Sequence, residues 1–313
     1  IQCRSRPDVP YDLVSINIGS TPQMRSVSGA GEHAVPVKPI HRFNDRWLSI
    51  LDHLEAHEGP FRVAVVGAGA GGVELTLAMQ YRLQRELAAR NRDTGALSFH
   101  LFNSASQILP THNATVRQQF RKVLRERGVE VHTSTRVEAI ESHSLITGYG
   151  ARHQADEILW VTQAGGADWL RNTGLSLDEH GFIQVRDTLQ TETDPDVFAA
   201  GDIATMTNHP REKAGVFAVR QGKPLAQNLI RAVRGKALKP YRPQKQWLAL
   251  ISTGDQYAVA SRGPIGFAGA WVWRWKDRID RRFMEKFNDL PAMAEDSTDD
   301  PANGIALNQE EAQ

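Results

Sequence analysis

The stretch Arg62-Val-Ala-Val-Val-Gly-Ala-Gly-Ala-Gly-Gly-Val-Glu-Leu-Thr-Leu-Ala-Met79 decides the expected fold. Its first five residues form a mostly β-branched run that is typical of a buried parallel strand. Gly67, Gly69 and Gly72 follow in G-x-G-x-x-G spacing, and a helical pattern comes next. Such glycines permit a tight turn, close approach of a pyrophosphate, and close packing of helix on strand. The stretch therefore predicts a dinucleotide-binding unit, with a ligand-free glycine-rich corner as the alternative.

Composition indicates an ordinary globular protein. The chain has 313 residues, of which 41% are hydrophobic and 23% are charged, and this length is enough for two domains. The formal net charge of +1 argues neither for nor against nucleic acid, and we expect no nucleic-acid partner. Cys3 is the single cysteine, so an internal disulfide is excluded and a reducing, cytoplasmic compartment fits.

Membrane-spanning and secretory segments are not expected. The sequence has no apolar run of the roughly 18 residues that a spanning helix needs, and its first residues lack the apolar region of a signal peptide. Because the chain begins with Ile1 rather than Met, we expect an N-terminal truncation.

Periodicity around the glycine stretch predicts alternating strands and helices. A strand over 11–18, a loop over 23–40 and a helix over about 43–57 precede it. After it we expect a strand at 97–103, an amphipathic helix at 114–127 that ends at Gly128, and a strand from Val129. This order predicts a right-handed parallel α/β unit.

The second half of the sequence predicts shorter strands and two long helices. Short strands around two glycines over 135–161 suggest a β-meander. The remaining predicted strands lie at 157–162, 182–185, 196–203, 247–252 and 257–261, and the helices at 214–234, with Pro224 inside, and 270–288. The acidic, polar tail from Pro291 is predicted to be disordered.

Several motifs together resemble a known family. They are Tyr11-Asp-Leu-Val-Ser-Ile-Asn-Ile-Gly-Ser20, Val37-Lys-Pro-Ile40, the glycine loop, Val197-Phe-Ala-Ala-Gly-Asp202, Lys213-Ala-Gly-Val-Phe-Ala-Val-Arg-Gln-Gly222 and Trp275-Lys-Asp-Arg-Ile-Asp-Arg-Arg-Phe-Met284. With them the chain resembles the FAD/NAD(P)-binding pyridine nucleotide-disulfide oxidoreductases, on the NADH dehydrogenase-like side. Within that group it looks most like the flavoprotein module found fused to or beside selenide, water dikinase.

The resemblance implies an α/β fold with two nested Rossmann-like dinucleotide-binding domains. The outer, FAD-binding domain would be incomplete, because its own glycine loop is expected on the order of 100 residues before the first strand. The implied segments are 1–58, a remnant of the FAD domain with a connecting helix; 59–166, the NAD(P) domain; 167–240, the second half of the FAD domain; 241–290, a small C-terminal α+β segment; and 291–313, the tail.

The resemblance also implies which residues would contact FAD: Gly19, Ser20, Thr21, Pro22, Gly201, Asp202, Lys213, Ala214 and Gly215. The Asp202 carboxylate would accept a hydrogen bond from the ribityl chain, and the helix that starts at 213–215 would point its positive N-terminal end at the flavin. The alternatives are a capping or turn aspartate, a simple helix start, and a tight turn at 19–22.

For NAD(P)H, the implied contacts are the three loop glycines, Asn103 and Gly165, with Gln163–Gly166 as the second lip of the site. An acidic residue that would select NAD is missing at the end of the second strand, where Asn103 stands. NADH is the first expectation, NADPH stays open, and loss of nucleotide binding is an alternative. Glu74 either lies between nicotinamide and flavin as a catalytic residue or only complements its helix dipole.

The C-terminal helix carries Trp271, Trp275, Ile279, Phe283 and Phe287 together with six basic and three acidic residues. This pattern predicts either peripheral membrane contact through 271–287 or a core or homodimer helix with a solvated charged face. The spacing of the histidines predicts no metal site.

The leading functional hypothesis is an FAD-dependent oxidoreductase that takes hydride from NAD(P)H and passes electrons to a quinone or another acceptor. The alternative is a non-catalytic partner module of selenide, water dikinase. Sulfide or selenide oxidation at the flavin is disfavoured, because related reductases use facing cysteines and only Cys3 is present.

Overall fold

The computed structural model describes residues 1–3, 5–24, 26–162 and 164–288, with the side chains of residues 41 and 42 left aside. The predicted tail at 291–313 and residue Gln163 of the predicted nucleotide-site lip lie outside these ranges.

Strands and α-helices largely alternate along about the first 130 residues of the chain, and short strands then dominate up to the helix that begins at Gly215. The helices are α1 Ala30–His33, α2 Ile40–Ala56, α3 Ala70–Ala89, α4 Ala114–Glu126, α5 Gly215–Val233 and α6 Ala270–Asn288. The strands are β1 Val14–Ile16, β2 Thr21–Pro22, β3 Val35–Pro36, β4 Phe61–Val66, β5 Leu97–Phe102, β6 Glu130–His132, β7 Val137–Glu141, β8 Ser144–Thr147, β9 Arg152–Gln154, β10 Glu157–Trp160, β11 Ala164–Gly165, β12 Ile183–Val185, β13 Val197–Ala199, β14 Ala204–Met206, β15 Ala249–Ser252, β16 Ala258–Arg262 and β17 Ile265–Gly269.

The central sheet has five parallel strands in the order β3-β10-β4-β5-β6. Strand β4, the first part of the glycine stretch, lies in the middle. Its neighbour β5 pairs with it in register from Phe61 opposite Leu97 to Val66 opposite Phe102. The predicted parallel α/β core is therefore confirmed.

The two faces of this sheet are covered differently. Alternate β4 residues Phe61, Val63 and Val65 join the apolar cluster that α2, α3 and α4 form on one face. Ala64 and Val66 join a second cluster with the antiparallel meander β7-β8-β9 on the other face. Burial on both faces is why β4 reads as a continuous apolar run.

A second unit contains two parallel strand pairs and α5. Strand β1 pairs with β13, with Val14 opposite Val197, and β12 pairs with β14. Its apolar cluster joins residues of the early strand region, such as Ile16, to residues beyond 170, such as Phe198 and Leu225. This joining of sequence-distant segments matches the nested arrangement that the resemblance implied.

A third unit is the antiparallel sheet β15-β16-β17 with α6 packed on it. This sheet lies against α3 and α4 of the central unit. The sequence pattern did not predict β17. Its Ile-Gly-Phe-Ala-Gly composition is weak for a strand, and it forms as an edge strand on β16.

The segment before the glycine stretch is more ordered than predicted. The predicted loop over 23–40 contains α1 and β3, and α2 begins at Ile40 rather than near residue 43. Val35 pairs with Leu159 of β10, and Ile50 is buried in the central cluster. Part of the predicted FAD-domain remnant therefore packs with the central sheet. Two-residue strands lack a periodic signal of their own, which explains the difference.

The glycine turn yields a test of close packing. A Cβ at Gly72 would lie 1.7 Å from the Gly67 carbonyl oxygen, whereas a Cβ at Gly71 would meet only a Val161 methyl group at 3.9 Å. We expect Gly72→Ala to lower the free energy of unfolding by roughly 2–4 kcal/mol. Gly71→Ala, in the first turn of α3, should be neutral or stabilising by up to about 1 kcal/mol. Chemical denaturation of both variants measures this, and equal stabilities would contradict the packing argument.

Candidate cofactor-binding site

The turn between β4 and α3 forms an open helix N-terminus. The Gly67 N–H donates to the Phe102 carbonyl oxygen over 2.8 Å, which fixes the turn to β5. Gly69 is the N-cap residue of α3, and no side chain caps this helix end. The Val73 N–H donates to the Gly69 carbonyl oxygen, so the N–H groups of the preceding turn are available to an anion.

Asn103 lies directly after β5, at the predicted ribose position. Its side-chain amide nitrogen donates to the carbonyl oxygens of Ala105 at 3.1 Å and Gln107 at 2.8 Å. Both amide hydrogens therefore hold the following loop, and the side-chain oxygen remains as an acceptor. A neutral acceptor at this position does not discriminate between NADH and NADPH by charge.

Glu74 faces the third unit. Its Oε1 accepts a hydrogen bond from the Ser252 N–H of β15 over 3.0 Å. Burial raises the pKa of this carboxyl group, while the Ser252 hydrogen bond and Lys276 act in the opposite direction. Neither sequence interpretation of Glu74 included this contact, because β15 is 175 or more residues away along the chain. Its catalytic role stays a prediction.

The two predicted cofactor sites meet at a small sheet. Strands β2 and β11 pair in antiparallel fashion, with Thr21 opposite Gly165. The Thr21 hydroxyl donates to the carbonyl oxygens of Gly165 at 3.3 Å and Gly166 at 3.2 Å. The predicted flavin turn at 19–22 is thereby held against the predicted second lip of the nucleotide site.

Asp202 belongs to a polar cluster that the sequence did not reveal. The Lys38 ammonium donates to Asp202 Oδ2 at 2.8 Å and to the Ser20 hydroxyl at 3.0 Å, and the Ser20 hydroxyl lies 3.4 Å from the same carboxylate oxygen. Lys38 stands in one of the motifs of the resemblance, but it carried no predicted role. Lys38 and Asp202 are 164 positions apart along the chain, so their contact could be recognised only in the folded structure.

The backbone around Gly201 is also fixed by a long-range contact. Gly201 has a left-handed backbone, with φ +77°, and its N–H donates to Gln221 Oε1 over 2.6 Å. Gln221 is buried on α5. It was missed because a lone glutamine on a helix has no recognisable pattern.

Lys213 occupies a partly buried position before α5. Its ammonium group donates to the Ala204 carbonyl oxygen at 2.6 Å and to the Thr205 hydroxyl at 3.0 Å, and it lies 4.0 Å from the centre of the Phe182 ring. Burial lowers the pKa of Lys213 to about 8, and the nearby Asp178 and Asp202 only partly compensate.

An open cleft lies in front of α5. Its lining includes Gly201, Asp202, Lys213 and Ala214, four residues of the predicted flavin set. Ala214 is the N-cap residue of α5 and provides no side-chain cap. Glu212, another lining residue, has a buried Oε1 that no described residue hydrogen-bonds. The uncapped helix end favours negative charge on a ligand, and the orphaned Glu212 oxygen suits a hydrogen-bond donor on the same ligand, so the cleft fits a polar cofactor.

These features define a class of protein: an α/β protein in which a glycine turn of the dinucleotide-binding type and a second, polar cleft lie in one framework held by the β2–β11 pair. A family model described as pyridine nucleotide-disulphide oxidoreductase matches residues 3–226, which is more than half of the chain. The chain belongs to the pyridine nucleotide-disulphide oxidoreductase family, as the sequence motifs predicted.

Individual relatives are distant. The chain is 26% identical over 283 residues to the type II NADH:quinone oxidoreductase of Haemophilus influenzae, covering 81% of this chain and 63% of that protein. It is 26% identical over 286 residues to a type II NADH:quinone oxidoreductase of Mycobacterium tuberculosis, covering 84% and 61%. The chain thus spans less than two thirds of the length of these relatives.

A solved structure supports the fold. The structure of NDH2 from Plasmodium falciparum in complex with NADH superimposes with a TM-score of 0.72. The match covers 88% of this chain and 74% of the other, at 14% sequence identity. At this identity the likeness bears on the fold alone.

Lys213 generates a test of the burial in the cleft. Its folded pKa of about 8 lies below the ordinary 10.5, so between these values the unfolded chain binds the additional proton. Stability should therefore rise with pH across this window relative to Lys213→Met, by on the order of 1–2 kcal/mol after allowance for partial exposure. Denaturation at several pH values measures the difference. Lys223→Met, at an exposed position of α5, is the control and should give no such slope.

Proposed function

We propose that this chain carries the nucleotide site and part of the flavin site of an FAD-dependent NADH:quinone oxidoreductase. The observation that carries the proposal is the seam at which β2 and β11 pair, because it brings the Asp202 cleft and the α3 glycine turn into one framework. Family membership and two relatives described as type II NADH:quinone oxidoreductases support it.

On the flavin side, the residues of the cleft suit a polar cofactor. Asp202 offers a carboxylate to a hydroxyl group, and Lys38 beside it offsets its charge. The open end of α5, after Ala214, would stabilise negative charge on an isoalloxazine ring. FAD, when bound, supplies the hydride-accepting and electron-donating chemistry, while the protein orients it and tunes its charge.

On the nucleotide side, the α3 N-terminus would hold a pyrophosphate, and Asn103 would accept from a ribose hydroxyl group. NADH is our proposed donor on the strength of the two relatives. A quinone is our proposed electron acceptor for the same reason, because both relatives are described as NADH:quinone oxidoreductases. Glu74 is proposed to position β15 beside this turn as well as to act near the nicotinamide.

The predicted association with selenide, water dikinase is not supported by these relatives and stays a prediction from the sequence. A homodimer also stays a prediction.

Helix α6 is proposed to lie on an anionic membrane surface. None of the described helices is long and apolar enough to cross a bilayer. In α6, Val272 is fully buried against the third unit, while large apolar side chains along the rest of the helix are exposed: Trp271, Trp275, Ile279, Phe283, Met284 and Phe287. Together with the excess of basic residues, this pattern favours an interfacial helix.

The flavin spectrum tests the proposal. The protein reconstituted with FAD should show absorbance bands near 375 and 450 nm, as expected of a protein-bound flavin. Anaerobic NADH should bleach them, and a soluble quinone should restore them. Asp202→Ala should weaken FAD retention, whereas Asp196→Asn, at an exposed position before β13, should not. Absence of flavin in the full-length natural protein would overturn the proposal.

Gly71→Asp separates nucleotide binding from stability. An acidic residue in the first turn of α3 complements the helix dipole, so the melting temperature should stay the same or rise. The same carboxylate would repel a pyrophosphate, so the Kd for NADH should increase by about tenfold or more, a change worth about 1.4 kcal/mol. Gly71→Ala is the control. Unchanged NADH binding in Gly71→Asp would show that this turn does not hold the nucleotide.

Vesicle sedimentation tests α6. The double variant Trp275→Ser/Phe283→Ser should lose binding to phosphatidylglycerol vesicles, because it removes exposed apolar contact area. Trp169→Ser, at an exposed tryptophan outside α6, should bind like the unmodified chain. Size-exclusion chromatography completes the test. If the unmodified chain is a dimer that does not bind vesicles, and the double variant is a monomer, α6 is a dimer interface and not a membrane contact.

A further inference from the structure

A group of potential metal ligands lies at the edge of the central sheet and shares no residue with the lining of the Asp202 cleft. His100 is on β5, and Glu130 and His132 are on β6. One ligand atom from each lies within 4.8 Å of the others. The sequence predicted no metal site, because His100 is separated from the other two by about 30 positions and α4.

Sheet geometry explains why these side chains meet. Strands β5 and β6 are parallel, and His100 is in register with Glu130 while Phe102 is in register with His132. Register partners project to the same face, and residues two apart on one strand also share a face. His100, Glu130 and His132 therefore form one patch, which lies on the meander side together with Phe102.

The distances match a small transition-metal ion. His100 Nδ1 lies 3.3 Å from His132 Nε2 and 3.3 Å from Glu130 Oε2, and His132 Nε2 lies 3.9 Å from the same oxygen. A triangle with these sides has a circumscribed radius of about 2.05 Å, and zinc bonds to imidazole nitrogen and carboxylate oxygen are about 2.0–2.2 Å long. One ion can therefore contact all three atoms at its preferred distances.

Neighbouring rings hold the ligands in place. The His132 ring stacks on Phe102 with centroids 4.4 Å apart and planes 8° apart, and His153 of β9 contacts its edge with centroids at 5.0 Å. Burial lowers the pKa of both His100 and His132. Glu130 is 66% exposed and supplies the negative charge at the solvent side.

We propose that His100, Glu130 and His132 bind one divalent transition-metal ion, with zinc as the reference ion. Two imidazoles and one carboxylate leave at least one position open to water, as in open zinc sites. The ion would clamp the edge strand β6 to β5. The His132 carbonyl oxygen accepts the Asn103 N–H over 2.9 Å, so the clamp also steadies the predicted ribose position.

The simpler alternative is a hydrogen bond between the two imidazoles with no ion. Such a bond accounts for the His100–His132 distance, but it does not use the Glu130 oxygen that lies within 3.9 Å of both ring nitrogens. Zinc titration of variants distinguishes the two.

The experiment is a competition titration of the chelator-stripped, full chain with zinc and a chromophoric zinc indicator. We expect one zinc ion to bind per chain. Glu130→Gln and His132→Gln should each weaken the zinc affinity by at least about tenfold, which is the lower end of the loss seen when a partner of a ligand, rather than the ligand itself, is changed. His143→Gln and Glu138→Gln, at exposed positions of the same meander, control for loose binding to surface groups and should match the unmodified chain.

Two readouts keep the test independent of folding. Glu130 is mostly exposed, so Glu130→Gln should keep the circular dichroism spectrum of the unmodified chain. Zinc should raise the melting temperature of the unmodified chain but not that of Glu130→Gln, because only the native site gains a bound ion. Absence of stoichiometric zinc, or equal zinc affinity in the unmodified chain and both ligand variants, would overturn the proposal.

Discussion

The close approach of α3 to the ends of β4 and β10 at the glycine turn is the constraint around which the rest of the molecule is packed. A side chain at Gly72 would collide with the Gly67 carbonyl oxygen, and one at Gly67 would lie 2.5 Å from the Val161 carbonyl oxygen beyond β10. Only glycine allows this spacing. It places the uncapped N-terminus of α3 directly above the end of β4, and the meander, α2 and the third unit are all packed around that core.

The contact between the two predicted cofactor sites depends on long-range pairing. Strand pairing of β2 with β11 and the Lys38–Asp202 contact tie the beginning of the chain to segments about 140 or more residues later. Lys38 and Asp202 are both partly exposed, so their ion pair adds little stability by itself. Its value lies in orienting Asp202 at the mouth of the cleft.

Features that depend on neighbouring residues in the sequence were predictable, whereas contacts between residues far apart along the chain were not. Gly67 and Gly128 were predictable because a turn or a helix end imposes its requirement on the residue itself. The strands β3 and β17 were not, since both are short or glycine-rich and form only on an existing sheet edge. Likewise, the contact of Glu74 with Ser252 and the contact of Gln221 with Gly201 join elements that no local pattern relates.

The parallel α/β core and the dinucleotide-type turn were predictable from the sequence because each depends on local backbone geometry or on periodic burial, whereas the family was predicted from the resemblance of several motifs. Tertiary structure alone decided that Lys38 meets Asp202, that Glu74 faces β15, and that His100, Glu130 and His132 converge on one sheet edge. The physical reason is that these contacts depend on how strands pair and how helices pack on them. Local sequence patterns carry no information about which distant segments will meet.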